Sequence, residues 1–162
     1  MRDIASIYNE AILQTVATFD TEPKTSEEMK TWFENHDQKH PVLVAVQKGL
    51  VIGWASLSEW SDRCAYSETA EISLYVEKEH QGSGIGRKLL EEIMHEGQKT
   101  GLHTVVARIA EGNERSINLF KSEKFENIGV MKEVGRKFGK RLDVYLMQRI
   151  YESDGKGQLG AI

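Results

Sequence analysis

The chain has a single cysteine, Cys64, so no disulfide can form within it. It has no apolar run of the roughly 18 residues needed to cross a bilayer as a helix, and no charged-then-apolar leader. It has no excess of basic charge either: 21 Lys and Arg stand against 25 Asp and Glu, a formal net charge of -4. That balance argues against bulk nucleic-acid binding. No metal-ligating set is read from the histidines, no internal repeat is found, and no linker is long enough to divide the chain. These absences leave a soluble, cytoplasmic protein with no membrane, nucleic-acid or metal partner. At 162 residues, 40% of them hydrophobic, it can bury one sizeable core. One domain over residues 1–152 is expected, followed by a loose tail over 153–162 that lacks periodicity.

Apolar residues Ile4, Ile7, Tyr8, Ala11 and Ile12 recur at helical spacing near the start. Thr25-Ser26-Glu27-Glu28 reads as a capping box for a second helix. "PVLVAVQ" and "VIGWASLSEW" form a strand pair, and "TAEISLYVE" is a third strand. A helix over Gly84 to Lys99, a strand over His103 to Ala110 and a short helix capped by Asn113 follow. Two further strands flank a turn near Gly139. The order predicts an α/β chain of the α+β kind, one mixed sheet with helices on both faces. The strand-helix-strand unit from Thr69 to Ala110 predicts two parallel neighbours.

The stretch "QGSGIGRKLLEEI" places Gly82, Gly84 and Gly86 at every second position, where a strand gives way to a helix. Glycine tolerates positive φ and brings no side chain to obstruct a ligand. The first amides of the helix are unpaired, and its dipole adds positive character. The combination suits a phosphate or pyrophosphate, and Arg87 and Lys88 can add charge. A plain strand-to-helix turn is the competing reading. The spacing G-x-G-x-G departs from the dinucleotide fingerprint, and the lysine-serine or lysine-threonine phosphate loop is absent.

In "TAEISLYV", Ile72, Leu74 and Val76 share one face, and Glu71, Ser73 and Tyr75 the other. Glu71 therefore stands on a half-polar face of the strand that feeds the glycine loop. Such a carboxylate can take the proton of an amine, directly or through water, or it can be a solvated strand residue. "WSDRCAY" places Trp60, Arg63 and Tyr66 between two strands. It is a surface loop or the wall of an acceptor pocket, in which Arg63 could hold a carboxylate bidentately. Cys64 has no sequence-adjacent base to make it a nucleophile. "KEVGRKFGKR" is a basic hairpin, either solvated or close to the acceptor.

The loop Gln81-Gly82-Ser83-Gly84-Ile85-Gly86 resembles the [QR]-x-x-G-x-[GA] acyl-CoA loop of the GNAT N-acetyltransferase superfamily. "IYNEAI", "TFDTEP", "TAEISLYVE", "EGNERSINLFKSEKFENIG" and "VGRKFGKRLDVYLMQR" resemble, in order, its phosphinothricin and methionine sulfoximine N-acetyltransferase-like branch, from Ile7 to Arg149. The resemblance implies a central mixed sheet flanked by helices, acetyl-CoA as co-substrate, and a homodimer. It implies that Glu71 is the general base and that Leu74, Tyr75 and Val76 pair with the pantetheine arm through their backbone. Gln81 through Arg87 would bind the pyrophosphate, and Asn113 the pantetheine. Three departures stand out. Members begin with a strand ahead of the first helix, whereas this chain starts inside that helix. Lys124 occupies a position where the family has glycine. Leu119 and Phe120 stand where many members carry a tyrosine acid. The implied activity is acetylation of a small amino-acid-like amine by direct transfer. Acetylation of another amine or of a peptide N-terminus, or a non-catalytic acyl-CoA-binding module, are the alternatives.

Overall fold

The computed structural model describes residues 1–152, and the predicted tail over 153–162 lies outside the described residues. The elements are α1 (Arg2–Gln14), α2 (Ser26–Glu34), β1 (Val42–Gln47), β2 (Leu50–Glu59), β3 (Thr69–Val76), α3 (Ile85–Lys99), β4 (Thr104–Ala110), α4 (Glu114–Ser122), β5 (Glu126–Lys137) and β6 (Lys140–Ile150). Each predicted helix and strand is present, with ends shifted by a residue or two. The first described element is a helix, as the sequence implies.

The six strands form one sheet in the order β1-β2-β3-β4-β6-β5. β3 and β4 are parallel and the other neighbours are antiparallel, so the sheet is mixed. Side-chain alternation sorts the sheet into two apolar layers. Ala55, Leu57 and Ile72 pack with Leu90 and Ile93 of α3 and Ile117 and Phe120 of α4. On the other face Trp54 packs with Ile4 and Ile7 of α1 and Met29 of α2. Leu90 and Ile93 are fully buried, each worth about 1.5–3 kcal/mol relative to exposure. They anchor α3 and hold the glycine loop at its start.

The capping box at α2 is complete: Glu28 N–H donates to Thr25 Oγ1 (3.1 Å), and Thr25 N–H donates to the Glu28 carboxylate (2.7 Å). The β5-β6 turn places Phe138 and Gly139 at positive φ, as a tight hairpin matching strand twist requires.

The C-terminus of α4 accounts for one departure from the family pattern. Lys124 N–H donates to the Lys121 carbonyl and Phe125 N–H to the Phe120 carbonyl, while the Phe120 and Phe125 rings meet edge-on with centroids 4.9 Å apart. These contacts make a Schellman turn, whose residue after the cap is left-handed and is ordinarily glycine. Lys124 takes that conformation with φ +64. Its ion pair with Glu152 (3.8 Å) joins two well-exposed side chains and offers little in return. Lys124→Gly should therefore stabilise the fold by up to about 1 kcal/mol, or ~2–4 °C in Tm, as read in a thermal melt.

Candidate active site

The site begins where β3 and β4 part. Their parallel register runs only through Thr69↔Thr104, Ala70↔Val105 and Glu71↔Val106. Beyond that point β3 stays paired with β2 as far as Val76↔Gly53, and β4 with β6 as far as Ala110↔Val144. The opening is thus framed by two strands, each held from its outer side. Two cavities meet across it.

The first, about 530 Å³, is lined by Gly82, Gly84, Gly86 and Arg87 of the glycine loop and first turn of α3, by Leu74, Tyr75 and Val76 of β3, by Asn113, Arg115, Ser116 and Leu119 near α4, and by Ile7, Glu10 and Ala11 of α1. The second, about 500 Å³, is lined by Glu71, Ser73, Arg108, Tyr8, Thr18, Phe19 and Asp20, with Met131 and Val134 of β5. Val16, Ala17, Leu74, Tyr75, Asn113 and Ser116 line both.

In the first chamber Gly82 and Gly84 have φ of +80 and +88, and Gly84 caps α3. The first helical bond at this end is Lys88 N–H to Gly84 C=O (3.1 Å), so the preceding amides have no helical acceptor. Gly86 has ordinary φ and serves by leaving room: an added Cβ would lie 3.5–3.8 Å from Leu119, Leu74 and Val76. Gln81 braces the loop, donating to the Val76 carbonyl (3.0 Å) and accepting from Arg115 (2.8 Å). Ser83 bonds back to the His80 carbonyl and Ile85 packs on the core; neither side chain lines the cavity. Arg87 reaches the Ser122 hydroxyl (3.3 Å) as well as lining the chamber. Asn113 caps α4 by accepting from Ser116 N–H (3.3 Å), which leaves its amide N–H₂ free to donate toward the chamber it lines.

In the second chamber Glu71 accepts two charge-assisted bonds from Arg108, one from Nε and one from Nη2 (2.7 Å). Trp60 lies beside this pair, with its ring centroid 5.9 Å from Arg108 Cζ. Arg63 and Tyr66 are exposed on the β2-β3 connection and line neither chamber. Tyr8 donates to Asp20 (2.8 Å) and pairs with Thr18 (3.0 Å). Burial pushes the Tyr8 phenol up to about 12 and raises Tyr75 as well, so neither is a ready acid near neutral pH. Leu119 contributes only apolar surface to the first chamber.

Three features escaped the sequence. Arg108 stood out only as a charge inside the apolar run "TVVARIA"; two residues past the register partner of Glu71, it falls on the same face as that carboxylate. The segment Val16 to Asp20, between α1 and α2, divides the chambers. It is tied to the far hairpin by Lys137, a buried lysine whose Nζ donates to the Thr18 carbonyl (2.6 Å), and by Phe19, whose ring lies against Gly135. His36 and His40, four residues apart, have a spacing open to metal ligation. His36 instead bonds to the Trp32 carbonyl and Ser58, and His40 to Asp37. Among the described residues no group of three or more potential metal ligands occurs, and no helix is long and apolar enough to cross a membrane.

An open parallel strand pair, with a positive-φ glycine loop at one end and an arginine-paired carboxylate on the other face, suits group transfer from a nucleotide-tailed donor. The comparisons give that class its family. The model of the acetyltransferase (GNAT) family matches residues 4–125. An L-amino acid N-acyltransferase of Escherichia coli is 39% identical over 90% of this chain and 85% of its own length. An L-methionine sulfoximine/L-methionine sulfone acetyltransferase of Salmonella typhimurium is 38% identical over 90% and 85%. The crystal structure of a phosphinothricin acetyltransferase from Sinorhizobium meliloti in complex with acetyl-CoA superposes with a TM-score of 0.89 at 36% identity, covering 92% of this chain and 82% of that one. The chain belongs to the GNAT acetyltransferase family and is an N-acetyltransferase.

The packing of Phe19 on Gly135 can be tested directly. A Cβ at Gly135 would fall 2.0 Å from the Phe19 ring, so Gly135→Ala must displace that ring and loosen its hold on the segment that carries it. The variant should lose about 1–3 kcal/mol in a denaturant titration.

Proposed function

We propose that this N-acetyltransferase moves the acetyl group of acetyl-CoA to the α-amine of a small amino-acid-like compound, of the phosphinothricin or methionine sulfoximine type, by direct transfer in a ternary complex. The observation that carries the reading is the pair of chambers meeting at Leu74, Tyr75 and Asn113. Donor and acceptor can then enter from opposite faces and meet without a covalent enzyme intermediate. Cys64, the residue that could have formed one, is exposed and lines neither chamber.

The glycine-loop amides, with Arg87 beside them, would hold the pyrophosphate, and Asn113 and the free edge of β3 the pantetheine. Bound there, the thioester supplies an activated acetyl carbonyl. A Val76 N–H directed at its oxygen would stabilise the charge that develops on acyl transfer. Glu71 is the base: it takes the proton of the acceptor ammonium, directly or through a water, so that the neutral nitrogen can form the new C–N bond as the C–S bond breaks. Both Glu71 oxygens are oriented by Arg108, which fixes the carboxylate plane toward the chamber. With no tyrosine acid in α4, the departing thiolate takes its proton from solvent. Trp60 lies near Arg108 but, like Arg63 and Tyr66, lines neither chamber. No metal takes part in this scheme. The exposed apolar side chains Ile128 and Val130 of β5 support a homodimer.

Gly84→Val should strain a left-handed position and Gly86→Ala should intrude on the donor chamber, the latter without harm to the fold. Both should weaken acetyl-CoA binding in a calorimetric titration. Unchanged affinity in a folded variant would remove the loop from the donor site.

Glu71→Gln keeps shape but removes the proton acceptor. It should lower kcat by roughly 10²–10⁴ with acetyl-CoA affinity nearly unchanged, and should abolish the acidic limb of the kcat/KM profile. Near-normal kcat with that limb intact would place the base elsewhere.

A further inference from the structure

Arg108 uses only part of its binding capacity on Glu71. A guanidinium carries five N–H donors in one plane, arranged so that two edges can each grip a carboxylate. The Nε–Nη2 edge is taken by Glu71. The Nη1–Nη2 edge is open: among the described residues Nη1 has no acceptor, and the side chain is 52% exposed within the acceptor chamber wall. The two bonds to Glu71 hold the guanidinium plane, with the Trp60 ring nearby, its centroid 5.9 Å from Cζ.

We propose that this open edge is the carboxylate subsite for an α-amino acid acceptor, so that one guanidinium grips the base on one side and the substrate on the other. The proposal rests on reading Glu71 as the base and its chamber as the acceptor site. In an α-amino acid the amine and carboxylate share a carbon. A carboxylate held on the open edge therefore keeps its amine beside the same guanidinium, within reach of Glu71 or of a water upon it. The charges balance as well. One arginine can serve two carboxylates because the acceptor brings its own ammonium. The other acid of this chamber, Asp20, is already paired with Lys24 (3.4 Å) and Tyr8 (2.8 Å), so it does not compete for Arg108. Arg63, the sequence's candidate for the carboxylate, lies outside the chamber lining.

The test compares kcat/KM for L-methionine sulfoximine, L-phosphinothricin and L-methionine with their carboxamides and decarboxylated amines, using acetyl-CoA as donor. Wild type, Arg108→Gln, Arg108→Lys, Arg63→Gln and Glu71→Gln are assayed after a thermal melt shows each is folded. Wild type should favour the acid over its amide by about 10- to 100-fold, the effect of a lost bidentate charged contact. Arg108→Gln should bring that ratio near one, mainly through KM, and Arg108→Lys should restore part of it, since lysine keeps the charge without the fork. Glu71→Gln should lower kcat for acid and amide alike and leave the ratio in place. A wild-type ratio near one overturns the subsite, as does a ratio that survives Arg108→Gln or one that collapses in Arg63→Gln alone. Normal kcat in Glu71→Gln, with a ratio still set by Arg108, supports the subsite and removes only the base. If other amines are acetylated and no α-amino acid is, both fall together.

Discussion

Between Thr69 and Glu71, β3 lies in register with Thr104 to Val106 of β4; beyond Glu71 the two strands part. The site depends on this short pairing. A longer ladder would close the opening and consume the backbone groups of Leu74 and Val76 that face it. A shorter one would free Glu71 from the strand that carries Arg108. The pairing ends at the residue that bears the carboxylate, so Glu71 stands at the vertex of the opening. Because β3 is still bonded to β2 and β4 to β6, the vertex is rigid although it is unpaired on its inner side.

The two chambers use different physics. The chamber at the glycine loop is chiefly backbone: positive-φ glycines, unpaired helix amides and a strand edge. Its side chains mostly brace that backbone, as Gln81 does between Val76 and Arg115. The chamber at Glu71 is built from side chains of α1, β3, β4, α4, β5, β6 and the segment after α1. Here one guanidinium orients the carboxylate, and a tyrosine-threonine-aspartate set forms the opposite wall. Backbone sites accept a common chemical handle, whereas side-chain sites discriminate between acceptors.

That division also explains how much was legible in the sequence. The geometry of the glycine loop could be read because glycine spacing, a helix start and the preceding strand are contiguous in the chain. The capping box at Thr25 and the cap at Asn113 were legible for the same reason: each is a bond between residues three apart. Arg108 was not, because its partner is 37 residues away and the pairing exists only once two strands are in register. The same holds for Lys137, which the sequence offers as one of several lysines in a solvated hairpin. Its burial follows from a contact with Thr18, 119 residues earlier. Arg63 lies outside the chamber lining, just ahead of a three-residue helical turn at Cys64–Tyr66 that no periodicity announces.

Lys137 shows what the acceptor side demands of the fold. Burial holds its ammonium below the usual lysine range, and its close partners are one carbonyl oxygen and the Phe138 ring, 5.2 Å from Nζ. A buried charge of this kind is a weak source of stability, and an apolar side chain of similar size would often serve the core as well. What it supplies is a fixed position for the Thr18 carbonyl. Thr18 in turn bonds to Tyr8 and to the amide of Asp20, so the lysine sets the wall that faces Glu71 and Arg108. Gly135 acts to the same end by admitting the Phe19 ring against the strand. The hairpin therefore carries an unfavourable burial and a glycine within a strand, both locally costly, at the two points where it holds the segment between the two chambers.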